Sequence, residues 1–126
     1  MKPEVHRVKA ERIARTMQKL NDANYEIIIE GCMLAGTHWL NLARHQMEIA
    51  GSEHDAMHAE FLDGAQRVVI SLLTPALLGA LDEIEGYRAG FVRGDLEGGD
   101  KIAARCRSLL DIIRDGALNC GPPKRK

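Results

Sequence analysis

Residues 25–50 read YEIIIEGCMLAGTHWLNLARHQMEIA, and this stretch decides the fold. Tyr25, Ile28, Cys32, Ala35, Trp39, Leu42 and Ile49 recur at three- and four-residue intervals, broken only at Gln46. That spacing draws one apolar stripe along a helix and does not fit a strand, whose faces alternate every second residue. Beside it runs a second stripe, Ile27, Gly31, Leu34, His38, Asn41, His45, which turns polar in its C-terminal half. The helix is expected from near Ala23 to Ala50, with Gly51 and Ser52 ending it. Gly31 and Gly36 each cost about 1 kcal/mol of helix propensity relative to Ala. Either they admit a close neighbouring helix or they are simply tolerated.

Upstream, Ala10, Ile13, Met17 and Leu20 repeat at 3,4,3 spacing, which predicts a first helix from Pro3 to Leu20. Pro3 suits its first turn, where a missing N–H costs nothing. Downstream, residues 53–63 are short and polar, and Ala65, Val68, Val69, Leu72 and Leu73 then restore helical spacing from Gly64 to Leu73. Thr74-Pro75 opens a fresh helix or kinks a single long one. Ala76, Leu77, Ala80, Leu81 and Ile84 extend the apolar face. Gly86, Gly90, Gly94, Gly98 and Gly99 mark residues 86–99 as the expected loop. A last helix is expected from an Asp100 N-cap to about Gly116, carrying Ile102, Ala103, Cys106, Leu109, Leu110 and Ile113. The reading is all-α: a four- to five-helix up-down bundle forming one domain over residues 1–126, with 117–126 as a loose tail.

The whole-chain quantities agree with that class. The 126 residues are 45% hydrophobic and 28% charged, within the range of a globular domain able to bury a core. With one Trp, two Tyr and two Phe, that core must be aliphatic. A net charge of −1 argues against a phosphate-gripping surface, so nucleic acid is not an expected partner. Cys32, Cys106 and Cys120 are odd in number and share no CxxC spacing, so neither a disulfide framework nor a structural zinc site is signalled. No signal-peptide run opens the sequence and no span of about 20 apolar residues occurs, which leads to the expectation of a cytoplasmic protein without a membrane partner.

Four of the five histidines fall between residues 38 and 58. His38 and His45 are two turns apart on one helix face with Asn41 between them, and Arg44 is one position away. His54 and His58, with Asp55 beside them, follow soon enough to fold back. The candidate ligand-binding set is therefore His38, Asn41, Arg44, His45, His54, Asp55 and His58. Imidazoles and carboxylates suit zinc, iron or nickel, or they hold an anion together with arginine. Yet no Glu lies three residues before a His, as in di-iron bundles, and there is no His-Glu-x-x-His. No metal site and no cofactor are therefore assigned. Structural roles for the histidines weigh more than a ligand site. Cys32 falls on the buried seam, where a thiol is usually inert. No Gly-x-Ser-x-Gly elbow or phosphate-binding glycine loop is present, and no catalytic residue is named.

The segment Tyr25-Glu26 followed by Gly31-Cys32-Met33-Leu34-Ala35-Gly36-Thr37-His38-Trp39-Leu40-Asn41 resembles the second helix of HEPN (higher eukaryotes and prokaryotes nucleotide-binding) domains. His54-Asp55-x-x-His58 is similar to a histidine-bearing turn that follows this helix in some members. Leu81 to Phe91, with Arg88-Ala89-Gly90-Phe91 at its end, looks like the family's link into a last helix. The likeness covers roughly residues 7–117. It implies a small all-α bundle that pairs into a homodimer, often in a toxin–antitoxin setting with a nucleotidyltransferase as partner. The family's ribonucleases carry an Arg, four to six residues and then a His on a late helix. No histidine follows His58 here, so the resemblance implies the scaffold and no catalytic residue. The expected function is a non-catalytic HEPN-like dimer that binds a partner protein or small ligand. The alternatives are a metal- or ligand-dependent enzyme using His38, His45, His54 and His58, and an RNA-processing domain with a relocated site.

Overall fold

The computed structural model describes residues 1–120, so the basic end of the expected tail lies outside the described residues. Five α-helices carry the fold: α1 (Pro3–Gln18), α2 (Tyr25–Gln46), α3 (Gly64–Leu73), α4 (Pro75–Arg88) and α5 (Gly99–Asn119). Among the described residues there is no strand, and no helix is long and apolar enough to cross a membrane.

The seam predicted on α2 is the centre of the core. Ile28, Cys32, Ala35, Trp39 and Leu42 are all buried, joined by Ile29, Leu40 and Ala43. Against them pack Ala10 and Met17 of α1, Leu77, Leu81 and Ile84 of α4, and Ala103, Cys106, Leu109 and Ile113 of α5. Helix directions follow from which residues meet. Tyr25 at the head of α2 lies against Gly99 at the head of α5, and Gly36 lies against Ile113, so these two helices run the same way. Gly31 meets Met17 and Glu30 meets Arg88, so α1 and α4 run opposite to α2. In chain order α1, α2, α4 and α5 thus alternate up and down around one core. The short α3 is an addition lying on α4.

Both glycines of α2 are close approaches. A Cβ on Gly31 would come within 2.5 Å of Met17 Sδ, and one on Gly36 within 2.9 Å of Leu81 Cδ1. Gly31 therefore serves packing within the chain and does not belong to a free outer stripe. Ile27 and Leu34 of that stripe are exposed, while Asn41 and His45 are buried.

Several expected boundaries move, each for a local reason. Helix α2 stops at Gln46, four residues before Ala50, because the chain turns back there: the Ile49 and Ala50 amides donate to Arg44 O, and Glu48 takes a φ of 59°. At Thr74-Pro75 the chain makes two helices, since Pro75 has no N–H to continue the ladder. The expected loop over residues 86–99 is mostly helical: α4 runs to Arg88 and a π-turn covers Ala89–Arg93, leaving only 94–98 irregular. The last helix begins at Gly99 and not at Asp100, and it continues past Gly116 to Asn119. Gly116 lies inside it because Thr74 presses there: a Cβ would stand 2.6 Å from Thr74 Oγ1. Ala117, expected in the tail, is fully buried.

Candidate functional site

The polar half of the second α2 stripe holds down the segment between α2 and α3. Asn41 binds that segment as a strand would. Its Nδ2 donates to Ala56 O at 2.8 Å and to Thr37 O at 3.1 Å, while its Oδ1 accepts from the Ala56 amide and from Arg44 Nη1, both at 2.8 Å. Arg44 donates onward to His54 O at 2.8 Å and to Gln66 Oε1 at 3.1 Å. It is buried, and burial lowers its pKa, opposed by the nearby charges of Asp55 and Asp63. Both side chains spend their polar atoms on protein partners. Among the described residues no buried side-chain polar atom lacks a partner.

One turn away, three imidazoles and a carboxylate meet. His6 comes from α1, a residue that the spacing of α2 alone does not suggest. It lies four positions before Ala10, on the apolar stripe of its helix, so a polar residue on a core face is the signal that marks it. His6 Nδ1 is 2.9 Å from His38 Nδ1, and its Nε2 is 2.9 Å from Asp55 Oδ1. His45 Nε2 is 2.8 Å from the same Asp55 Oδ1, while its Nδ1–H donates to Ala50 O at 2.9 Å. The His6 ring is 5.2 Å from His38 and 5.3 Å from His45, centre to centre. Met1's amino group is 3.1 Å from Asp55 Oδ2 and also bonds Ser52 O. The side chains of His6 and His45 are 2% exposed and that of Asp55 32%, and His38 is partly exposed, so protein closes over His6 and His45 while Asp55 and His38 reach the surface.

Burial works against charge on Asp55. Hydrogen bonds from His45, His6 and the amino group outweigh it and hold the carboxyl well below the usual carboxylate range. Burial also lowers the pKa of both His6 and His38. One nitrogen from each of His6 and His45 and one Asp55 oxygen lie within 4.8 Å of one another, a donor set able to hold a metal ion.

Of the seven residues singled out from the sequence, then, His38, His45 and Asp55 meet, joined by His6, and Asn41 and Arg44 support them. His54 does not join: it supplies only its carbonyl, and its ring is exposed, 3.7 Å from Glu53. His58 goes elsewhere, its Nδ1 2.9 Å from Glu85 Oε1. Arg88 shares Glu85 at 3.1 Å and holds Glu30 at 2.6 Å, so in this second group the guanidinium stands between two carboxylates.

A different feature lies on α3. Phe61 just before it and Val68, Val69, Leu72 and Leu73 on it are exposed, Leu72 by 76% and Phe61 by 68%. Exposed Glu60 and Asp63 flank Phe61, and no charged residue lies between Val68 and Leu73. Arg67 turns away to Ala59 O and Asp82, and Gln66 to Arg44. Beside Leu73 a shallow groove of about 360 Å³ continues past Pro75 and Ala76 to Ile112.

Fold and site together define an all-helical bundle with a histidine–carboxylate cluster at one end of α2 and an uncharged apolar face on α3. The chain matches no protein-family model, no characterised protein and no solved structure.

Proposed function

We propose that this chain is a non-catalytic helical interaction module that works as a homodimer paired through the outer face of α3. The observation that carries this is the exposure of five large apolar side chains, Phe61, Val68, Val69, Leu72 and Leu73. Together these side chains expose on the order of 500 Å², as large as the biggest patch on a typical monomer and a good part of the ~800 Å² per partner of a stable interface. The four α3 positions are all apolar, and homodimer interfaces are the more apolar class. A second copy presents the same apolar stripe, so a two-fold contact is self-complementary. The resemblance to HEPN domains implies a homodimer without saying which face pairs, and a nucleotidyltransferase would bind as a further partner of that dimer.

A non-catalytic role is supported by the pairing of the polar groups with one another. A phosphate approaching His58 and Arg88 would meet Glu85 and Glu30, which weakens support for RNA processing. Light scattering on the untagged chain tests the proposal. The expected mass at tens of micromolar is about 28 kDa, twice the 13.9 kDa of one chain. A mass of 13.9 kDa across that range would refute the pairing.

A further inference from the structure

We propose that His6, His45 and Asp55 form a binding site for one first-row divalent transition-metal ion, which fastens α1, α2 and the segment after α2 to one another. Two imidazole nitrogens and one carboxylate oxygen make a two-histidine, one-carboxylate donor set, which suits iron or zinc and leaves positions open to water or an anion. The distances fit. Asp55 Oδ1 is 2.9 Å from His6 Nε2 and 2.8 Å from His45 Nε2. Seen from an ion about 2.0–2.1 Å from each atom, such separations subtend about 90°, the angle between neighbouring ligands of an octahedral ion.

The surrounding atoms point the same way. A histidine that ligates through Nε2 needs its Nδ1–H held by an acceptor, which fixes ring and tautomer. His45 has this in Ala50 O, and His38 Nδ1, 2.9 Å from His6 Nδ1, can accept in the same way when His38 carries its own proton on Nε2. With its Nδ1 at Ala50 O, His45 turns its Nε2 to Asp55 Oδ1 at 2.8 Å, the atom that His6 Nε2 also faces. The Met1 amino group takes Asp55 Oδ2 and leaves Oδ1 to the two imidazoles. The Asp55 side chain is 32% exposed, and a shallow groove of about 260 Å³ reaches His45 between Pro3, Glu48 and Ser52.

The test uses the full chain, stripped of metal by chelation and titrated with Zn²⁺ and with Co²⁺. Calorimetry should show one ion per chain with micromolar or tighter affinity, and saturating Zn²⁺ should raise Tm by on the order of 5–10 °C. His6→Gln and His45→Gln should each weaken binding at least 100-fold, while His54→Gln and His58→Gln leave it unchanged. Because the first two rings are buried, nitrogen-detected NMR of the parent gives a reading that needs no variant. On adding Zn²⁺ the Nε2 signals of His6 and His45 should shift together, and those of His54 and His58 should stay. No saturable binding below 100 μM, or imidazole signals at His6 and His45 that Zn²⁺ does not move, would overturn the proposal.

Discussion

Replacing Asn41 by alanine removes four hydrogen bonds at one stroke, two of them to both backbone groups of Ala56. Arg44 keeps His54 O and Gln66, so it is not left bare. The Ala56 amide and carbonyl lose their side-chain partner in a half-buried place that water reaches in part. A net loss of about 1 kcal/mol per bond, with a further ~1 kcal/mol where Ala56 stays dry, gives about 3–5 kcal/mol. Domains of this kind hold only about 5–15 kcal/mol in total, so the urea midpoint should fall by roughly a fifth or more. The control is His54→Ala, whose exposed ring touches only Glu53 and whose backbone carbonyl survives the change. It should cost less than about 0.5 kcal/mol. Hydrogen exchange supplies the local reading: the Ala56 amide should be protected in the parent and exchange quickly in the variant. Equal losses from the two substitutions, or an Ala56 amide whose protection does not change, would show that Asn41 does not hold the segment.

Other consequences follow from the charged surface and the thiols. Hydrogen bonds from Arg105 and then Tyr87 lower the Glu83 carboxyl to about 2. A depressed acid stabilises the fold above its unfolded pKa and loses that effect as pH falls through the folded value, so the contribution is present above about pH 4.3 and fades towards pH 2. Glu83→Gln should remove that part of the acid slope in urea melts followed against pH, a modest effect for a surface pair; an unchanged slope would contradict it. Burial pushes the Cys32 and Cys106 thiols up to about 12, so neither should react with a thiol reagent at pH 8 in the folded chain. Half-buried Cys120 should react first, and all three should react in denaturant, as mass spectrometry of the labelled protein would show.

The seam of α2 is legible in the sequence because its period is that of a helix and because it is buried on one side along its whole length. The break at Thr74-Pro75 is legible as a set of two options, and the missing proline N–H chooses between them. Residues 86–99 mislead because five glycines look like a loop, while each costs only about 1 kcal/mol in a helix. Burial of Ile84 and the contacts of Arg88 with Glu30 and Glu85 outweigh that cost and carry α4 through Gly86. For the site, spacing places His38, Asn41 and His45 on one face but does not say what they touch. Asn41 and Arg44 hold backbone, which no pattern of side chains encodes. His58 is near them in sequence, but in space it belongs to Glu85 on α4. His6 escapes a reading by spacing because its partners lie 32 and 49 residues away.

Which face joins two copies is the question on which the account rests, and sedimentation equilibrium on two double variants answers it. One is Val68→Glu with Leu72→Glu on α3; the other is Ile27→Glu with Leu34→Glu, the exposed pair on α2. All four positions are exposed, so helicity by circular dichroism should match the parent in both. The parent and the α2 variant should sediment at about 28 kDa and the α3 variant at 13.9 kDa. A monomeric parent, or a dimer broken by the α2 pair and left intact by the α3 pair, would contradict the account.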